Sequence, residues 1–282
     1  MKHSAAEIVR EYGPFPGVDR VAGVTFDGRQ VWFASGDKLN ALDPAMFEAI
    51  IEAGSKLTKR SDVHAVVLSG EGRAFCAGLD LDRLLATTTG ESLIPSVDLT
   101  RRTHGLANYA QHLVWLWREL PVPVLAAVHG VAFGGGFQLA LGADLRYLAP
   151  DTKLAIIEAK WGLVPDMGGT QLMRRLARED VVRELTYTGR VFSAQDALAY
   201  GFATKLADDP VRAALAIAHE IAGRSPDAVR AAKRLLNLAA TCDVATGLAA
   251  ETAEQAALLG SANHVEAVTS NLENRTPRWC QA

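Results

Sequence analysis

The glycine run at residues 134–136 stands directly in front of the apolar segment FQLALGADL. Glycine loses more conformational freedom on folding than any other residue, so three in succession are costly to order. Between a strand and a helix, such a run presents bare backbone N–H groups, and the helix dipole adds partial positive charge. Tight packing of the helix on the strand is one interpretation. Three successive glycines favour the other, an anion or oxyanion site.

A second turn, GRAFCAGLDLDRL at residues 72–84, follows the apolar run HAVVLSG. Ala77 and Gly78 are small, and we expect the backbone N–H of Leu79 to point outward at the end of the strand. One such loop alone is more often structural. Two N–H donors from two strand ends, however, form an oxyanion hole. The two loops together predict a site that stabilises negative charge on a carbonyl oxygen.

Other chemistries are disfavoured by the motifs that the sequence lacks. It contains no G-x-G-x-x-G, no P-loop and no G-x-S-x-G pattern, which disfavours phosphate binding and acyl-serine chemistry. Its three cysteines have no C-x-x-C spacing, so we expect neither a disulfide framework nor a zinc site. His104 and His112 have no third ligand at suitable spacing. We therefore expect no bound metal.

Composition places the chain among ordinary globular proteins. It has 282 residues, of which 49% are hydrophobic and 22% charged, and a net charge of −3. That charge disfavours binding to nucleic acid or to a membrane. No segment reaches the roughly 18 apolar residues of a membrane span, and the N-terminus lacks the apolar run of a signal peptide. We expect a soluble, cytoplasmic protein.

Alternating strand and helix patterns must position the two loops. The runs HAVVLSG, PVPVLAAVHG, ADLRYLAP and KLAIIEA predict strands, and VAGVTFDGRQVWFAS predicts a hairpin around Asp27 and Gly28. In LDPAMFEAII, Asp43 is the expected N-cap of a helix and Pro44 its first residue. This order predicts an α/β fold with largely parallel sheets.

Two further segments differ from this pattern. Residues 83–108 show no clear periodicity, which is typical of a functional or mobile connection. From residue 209 the chain is rich in alanine, with helix starts at Ser225 and Asp243. We interpret residues 1–208 as the α/β core and residues 209–282 as a helical C-terminal region.

Five segments in order resemble the enoyl-CoA hydratase/isomerase, or crotonase, family. They are KLNALDPAMFEAI, AFCAGLDL, AAVHGVAFGGGFQLALGADLRYLA, EAKWGLVPDMGGTQLMRRL and FSAQDALAYGFATKLAD. The resemblance runs from roughly residue 20 to residue 275. It implies a crotonase-like spiral of repeated ββα units that binds an acyl-CoA thioester in its core. It also implies homotrimers or dimers of trimers, assembled through the helical C-terminal region.

The resemblance assigns roles to both loops. The backbone N–H groups of Leu79 and Gly135 match the family's oxyanion hole, which stabilises an enolate-like thioester oxygen. The other substrate-binding positions that it implies are Lys38, Leu39 and Ala41 beside the CoA adenine, and Ala77, Gly78 and Gly134 in the glycine loops. Asp80 matches an acidic position that is structural rather than catalytic. Coenzyme A is part of the substrate, so no separate cofactor is expected.

The carboxylate positions separate hydration from isomerisation. Hydratases of the family use two glutamates, at the positions of Gln138 and Glu158. A glutamine cannot exchange protons usefully, although Gln138 can still bind a water or the substrate. Asp166 lies eight residues past Glu158, and dienoyl-CoA isomerases of the family resemble this sequence in having a glutamate and an aspartate at that spacing. They usually carry an aspartate at the position of Gln138, so the match is incomplete.

We therefore favour isomerisation of a double bond in a (di)enoyl-CoA of fatty-acid metabolism. Asp166 is assigned near the α-carbon and Glu158 as the distal proton donor, although the two roles can be exchanged. A helix cap is the alternative interpretation of Asp166, and a solvated strand-end carboxylate that of Glu158. For the whole protein, the alternatives are a hydratase with Glu158 as main catalytic residue, a non-catalytic acyl-CoA binder, or another enolate reaction.

Overall fold

A parallel sheet forms the centre of the molecule in the computed structural model, which describes residues 29–33, 38–94 and 97–280. Its strands are β1 (Arg29–Phe33), β2 (Val66–Gly70), β3 (Val124–Val128), β5 (Leu145–Leu148) and β8 (Lys205–Leu206). They lie in the order β1-β2-β3-β5-β8, and each neighbouring pair is parallel. The expected α/β organisation with largely parallel strands is confirmed.

The central strands are apolar on both faces because each face meets its own core. Every residue of β2 and β3 is buried. Leu68 and Ala126 belong to the main core, whereas Val67 and Leu125 belong to a smaller core on the opposite face. This alternation follows the two-residue period of a strand, and burial of both faces explains the continuous apolar runs.

A second, smaller sheet carries the glycine run. It consists of β4 (Val131–Phe133), β6 (Lys153–Ala155) and β7 (Val191–Ser193), with β4 parallel and β7 antiparallel to β6. The sequence did not predict β4, because three residues are too few to show alternation. Since β4 ends just before Gly134, it sets the direction in which the glycine run leaves the sheet.

Two helices of the core begin at residues whose side chains cap them. Helix α1 (Pro44–Thr58) has Asp43 as N-cap, whose Oδ1 accepts the N–H of Met46 at 2.8 Å. Helix α3 (Tyr109–Glu119) has a capping box between Asn108 and Gln111. Every residue of α4 (Gly135–Gly142) is buried. Such caps pair the N–H groups that a helix start leaves free.

Two expectations need correction or fall outside the described residues. Residues 83–108 are not wholly irregular, because α2 (Leu81–Thr87) occupies their beginning. The helix has only seven residues, which is too short for the spacing of its leucines to stand out as a helical period. The hairpin around Asp27 and Gly28 lies mostly outside the described residues, and only its second strand, β1, is described.

Helices dominate the second half of the chain. They are α5 (Gly169–Met173), α6 (Glu179–Thr188), α7 (Ala194–Tyr200), α8 (Pro210–Ala222), α9 (Pro226–Ala239), α10 (Val244–Leu258) and α11 (Ala262–Leu272). The helix starts at Ser225 and Asp243 are confirmed as N-caps of α9 and α10. Ala214 and Ala218 of α8 pack in the smaller core on the sheet. The division at residue 208 remains a prediction.

Candidate active site

Backbone hydrogen bonds hold the two glycine loops together with a third segment, residues 38–42. The N–H of Leu42 donates to the carbonyl of Gly78 at 2.7 Å, and the N–H of Phe133 donates to the carbonyl of Cys76 at 3.1 Å. The first loop follows β2 of the main sheet, and the glycine run follows β4 of the smaller sheet. A parallel bridge between Cys76 and Ala132 joins the first loop to β4. The structure therefore brings together the two turns that the sequence singled out.

Within the described residues, the backbone N–H groups of Leu79 and Gly135 lack the hydrogen-bond partners that neighbouring N–H groups have. Asp80 donates its N–H to the carbonyl of Leu42 at 3.1 Å, and Ala77 donates to Leu39 at 3.0 Å. Across the described part of the chain, no acceptor pairs with the N–H of Leu79 or of Gly135. Gly135 is the first residue of α4, where the helix supplies no acceptor. Both groups are free to bind an external oxygen atom.

Glycine is required where the loops touch. Gly78 has a φ of +89°, and a Cβ on it would lie 2.5 Å from the carbonyl oxygen of Phe133. A Cβ on Gly136 would overlap the carbonyl oxygen of Cys76. Gly134 has a φ of +50°, which few residues other than glycine adopt at low cost. The absence of side chains lets the two backbones approach each other.

The loops open onto a cavity of about 530 Å³. Nine of the eleven predicted site residues line it, namely Lys38, Leu39, Ala41, Ala77, Gly78, Leu79, Gly134, Gly135 and Glu158. The sequence analysis missed its apolar wall, which consists of Leu81, Leu84, Phe133, Ile157, Trp161 and Leu163. The exposed apolar residues Trp161 and Leu163 in EAKWGLV were the available signal, since large exposed apolar groups often mark binding sites.

Glu158 is the buried carboxylate of this cavity. It begins a 3-10 turn (Glu158–Trp161) and is 9% exposed, so it is not a solvated strand-end residue. A Cβ on Gly134 would lie 3.4 Å from its Oε1, which places the carboxyl group beside the glycine run. Its Oε2 is buried without a hydrogen-bond partner. Burial raises the pKa of Glu158, and the nearby charge of Asp166 raises it further.

Gln138 lies behind Glu158. It is 1% exposed and does not line the cavity, so the structure offers no contact with substrate there. Its amide Nε2 donates to Glu158 Oε1 at 2.7 Å. Its Oε1 accepts the N–H groups of Met167 and Gly169, each at 3.0 Å. The sequence could not reveal this bond, because the partners are 20 residues apart on different elements.

Asp166 lies near Glu158 but outside the cavity lining. The interpretation as a helix cap is wrong, because Gly168 is the N-cap of α5 and no side chain caps that helix. The residue as a whole is exposed, but its carboxyl group is partly desolvated. This partial loss of water raises the pKa of Asp166.

The acidic residues beside Lys38 differ from Glu158, because they are paired. Lys38 Nζ lies 2.8 Å from carboxylate oxygens of both Asp80 and Asp82. Asp80 is also the N-cap of α2. Burial acts to raise the pKa of Asp80, but hydrogen bonds from Lys38 and from the N–H of Asp82 outweigh it and hold the pKa below its usual value. Asp80 thus has structural partners.

Asn40 is a supporting residue that the sequence analysis missed. Leu39 and Asn40 both have positive φ values, of 54° and 58°. The buried Asn40 amide donates to the carbonyl of Ala74 at 2.7 Å and to that of Glu71 at 2.9 Å. An asparagine beside the loop was the available signal, because this residue tolerates positive φ better than most. It ties residues 38–42 to the loop after β2.

Within residues 29–33, 38–94 and 97–280, no three His, Cys, Asp or Glu side chains form a group that could hold a metal ion. Over the same ranges, no helix is long and apolar enough to cross a membrane.

Cys76 lies in the first loop, and burial raises the pKa of its thiol to about 12. Its thiol is therefore not a ready nucleophile.

Comparison with known proteins gives the same family as the motifs. The model of the enoyl-CoA hydratase/isomerase family matches residues 29–282. Methylglutaconyl-CoA hydratase from Mus musculus mitochondria is 32% identical over 248 residues, covering 85% of this chain and 75% of that protein. Mitochondrial Δ(3,5)-Δ(2,4)-dienoyl-CoA isomerase from Homo sapiens is 31% identical over 250 residues, covering 85% and 74%.

A solved structure extends this similarity to the fold. The crystal structure of enoyl-CoA hydratase from Bacillus anthracis matches with a TM-score of 0.79 and 29% identity, covering 90% of this chain and 95% of that one. The predicted crotonase-like α/β fold, with helices at its C-terminal end, is confirmed. The chain therefore belongs to the enoyl-CoA hydratase/isomerase family, whose enzymes act on acyl-CoA substrates.

Proposed function

We propose that this protein isomerises a carbon–carbon double bond in an enoyl-CoA or dienoyl-CoA. The observation that carries the proposal is a buried carboxylate, Glu158, beside the unpaired N–H groups of Leu79 and Gly135 in one cavity of the described residues. A base and an oxyanion hole are what the removal of a proton next to a thioester requires. The dienoyl-CoA isomerase among the relatives supports the same reaction class.

In the proposed reaction, Glu158 removes a proton from the α-carbon. The electrons of that C–H bond move toward the thioester, whose oxygen becomes enolate-like and binds the N–H groups of Leu79 and Gly135. The conjugated enolate then takes up a proton at the far end of its π-system, and the double bond shifts toward the thioester. Asp166 supplies that proton through solvent, because its carboxyl group lies outside the cavity lining, and its deprotonated form then recovers the proton held by Glu158. No atom is gained or lost overall.

These roles exchange the two carboxylates relative to the assignment made from the sequence. Glu158 lies beside Gly134 and lines the cavity, which supports a place next to the α-carbon. Asp166 lies outside the lining but close enough for its charge to act on Glu158. The pKa of both groups is raised, which makes each carboxylate easier to protonate and supports a role in proton transfer.

The rest of the cavity accommodates the thioester and part of coenzyme A. Lys38, Leu39 and Ala41 are proposed to contact the CoA adenine, while Ala77, Gly78 and Gly134 provide backbone around the thioester. The apolar wall around Trp161 and Leu163 suits an acyl chain. Since coenzyme A enters with the substrate, the proposed reaction needs no separate cofactor.

Hydration is the second candidate, favoured by the same buried Glu158 and by the similarity to methylglutaconyl-CoA hydratase. In this reaction Glu158 would activate water, which adds to the β-carbon of a 2-enoyl-CoA. Gln138 cannot supply the α-proton, so Glu158 would have to carry both transfers. We therefore place hydration second, and a non-catalytic acyl-CoA binder third.

Assembly of copies through the helical C-terminal region is also proposed. Helix α10 buries none of its residues, and Val244 and Leu248 are among its exposed apolar side chains. A helix without a buried face gains little from its own chain. Contact with a second copy in a homotrimer, or in a dimer of trimers, would cover it.

Ultraviolet spectra distinguish the candidate functions. The purified protein is mixed with a 3,5-dienoyl-CoA and, separately, with a 2-enoyl-CoA. We expect growth of the conjugated 2,4-dienoyl band, lost in Glu158→Gln and retained in the control Glu251→Gln, whose side chain is exposed on α10. Decay of the enoyl band alone would support hydration instead. Binding without change in either spectrum would support the non-catalytic binder.

A further inference from the structure

We propose that Gln138 is a positioning residue that holds Glu158 in its working orientation and favours its ionised form, without touching the substrate. The proposal rests on the proposed function in that Glu158 is taken as the base. It gives a role to the residue by which this chain departs from the paired carboxylates expected of a hydratase.

The hydrogen-bond network fixes the direction of the Gln138 amide. Two backbone N–H groups, from Met167 and Gly169, donate to its Oε1. Only an oxygen can accept both, so Nε2 must point the other way, toward Glu158 Oε1 at 2.7 Å. A Cβ on Gly169 would lie 2.6 Å from Gln138 Oε1, so glycine at this position keeps the network compact.

Gln138 is the only side chain within the described residues that donates to Glu158. Glu158 Oε2 has no partner, and burial disfavours the charged carboxylate. The Gln138 amide acts in the opposite direction, because donation to a carboxylate stabilises its charge. Without it, Glu158 would hold its proton to higher pH and lose its fixed orientation beside Gly134.

A glutamate at residue 138 would affect Glu158 differently from Gln138, because it would carry a negative charge. A carboxylate at residue 138 would accept the same two N–H groups and turn its second oxygen toward Glu158 Oε1. Two carboxylates at hydrogen-bond distance cannot both ionise easily, so they share one proton. Gln138 avoids this sharing and leaves Glu158 as the single titrating group of the pair.

The test uses Gln138→Met, which removes the donor at similar volume, and Gln138→Glu, which introduces the second carboxylate. Gln255→Met, at an exposed glutamine on α10, is the control. For each variant, the carboxyl carbon of Glu158 is followed by ¹³C NMR across pH and assigned with Glu158→Gln. This readout needs no turnover, so it remains informative if the isomerase proposal fails.

We expect the Glu158 titration midpoint to rise by about one pH unit or more in Gln138→Met, and Gln138→Glu to titrate as a coupled pair. We expect kcat of Gln138→Met to fall about 10- to 100-fold with KM nearly unchanged, within the effect of a positioned acid–base group. Unchanged midpoints in both folded variants would overturn the proposal. So would a raised KM at unchanged kcat, which would mean that Gln138 contacts substrate.

If Gln138→Met does not fold, the titration of Gln138→Glu alone tests the proposed role of Gln138. Glutamate preserves the shape of glutamine and can accept both backbone N–H groups, so its fold can be checked by circular dichroism. A single Glu158 midpoint identical to that of the parent would then contradict the proposed role. If the Glu158 midpoint shifts as expected in the Gln138 variants but the parent shows no isomerase turnover, only the assigned reaction is rejected.

Discussion

At the scale of single residues, the ionisation of Glu158 sets the expected pH dependence of activity. A base must be deprotonated, and burial raises the pKa of Glu158. The acid limb of kcat/KM should therefore lie above the ordinary range of a glutamate, with activity falling as pH drops through it. Glu158→Gln should lose about 10²- to 10⁴-fold in kcat. An acid limb at the ordinary glutamate value would contradict this assignment.

The same raised pKa predicts that Glu158 lowers stability at neutral pH. The folded protein binds this proton more readily than the unfolded chain, so the associated stability is present at low pH and lost as pH rises through the raised pKa. Glu158→Gln should therefore raise the free energy of unfolding at pH 7. Urea unfolding measures it, with Glu251→Gln as control. A variant less stable than its parent at pH 7 would refute the prediction.

The sequence identified most of the candidate site because those residues act through backbone. The small residues at two strand ends predicted that the N–H groups of Leu79 and Gly135 would be available, and both residues line the cavity. Side-chain partnerships were harder to predict. Gln138 was expected at the substrate, but it bonds to Glu158 across 20 residues of chain. No local spacing encodes such a pair.

At the scale of elements, contact between the glycine loops predicts a sharp effect of a methyl group at Gly78. Alanine there is strained by the φ of +89° and also lies 2.5 Å from the carbonyl oxygen of Phe133. Gly90 has a similar φ of +87° with nothing nearby, so Gly90→Ala isolates the backbone strain. We expect Gly90→Ala to cost about 1–2 kcal/mol of stability with little change in kcat.

Gly78→Ala should cost more stability than Gly90→Ala and also lower kcat about 10²-fold or more, because it displaces one side of the oxyanion hole. Urea unfolding and steady-state kinetics on the two variants measure both effects. Equal losses of stability and activity in the two variants would mean that the contact between the loops is not required.

Elements were predictable where their periodicity or caps were complete. Helix α1 followed from Asp43 and Pro44, and the fully buried β2 followed from an apolar run. The three-residue β4 and the seven-residue α2 were missed, because both are too short to show a clear hydrophobic period. Both missed elements lie next to the cavity, where geometry follows backbone contacts between distant segments.

At the scale of the whole molecule, the uncovered helix α10 predicts assembly. The chain has a mass of 30.2 kDa, and sedimentation should give about three or six times this value. Leu248→Glu places a charge on the exposed apolar face of α10 and should shift the protein toward monomers. Ala257→Glu is the control, because the exposed Ala257 lies nine residues further on and therefore on the opposite side of α10. A parent protein that sediments as a monomer would contradict the proposal.

The overall fold was the most predictable level, because strand and helix order restricts the arrangements available. The parallel sheet and the helix starts at Ser225 and Asp243 follow from apolar runs and capping residues. The packing of α8 on the sheet through Ala214 and Ala218 does not, since alanine-rich helices suit many partners equally well.

Deuterium exchange at the α-carbon tests the central claim most directly, that Glu158 removes a proton next to a thioester held by the oxyanion hole. A 3-enoyl-CoA is incubated with the protein in D₂O, and deuterium at the α-carbon is followed by mass spectrometry. We expect incorporation with the parent and Glu251→Gln, and a loss of about 10²-fold or more with Glu158→Gln. Equal incorporation with Glu158→Gln would show that another group is the base, and the account would be wrong.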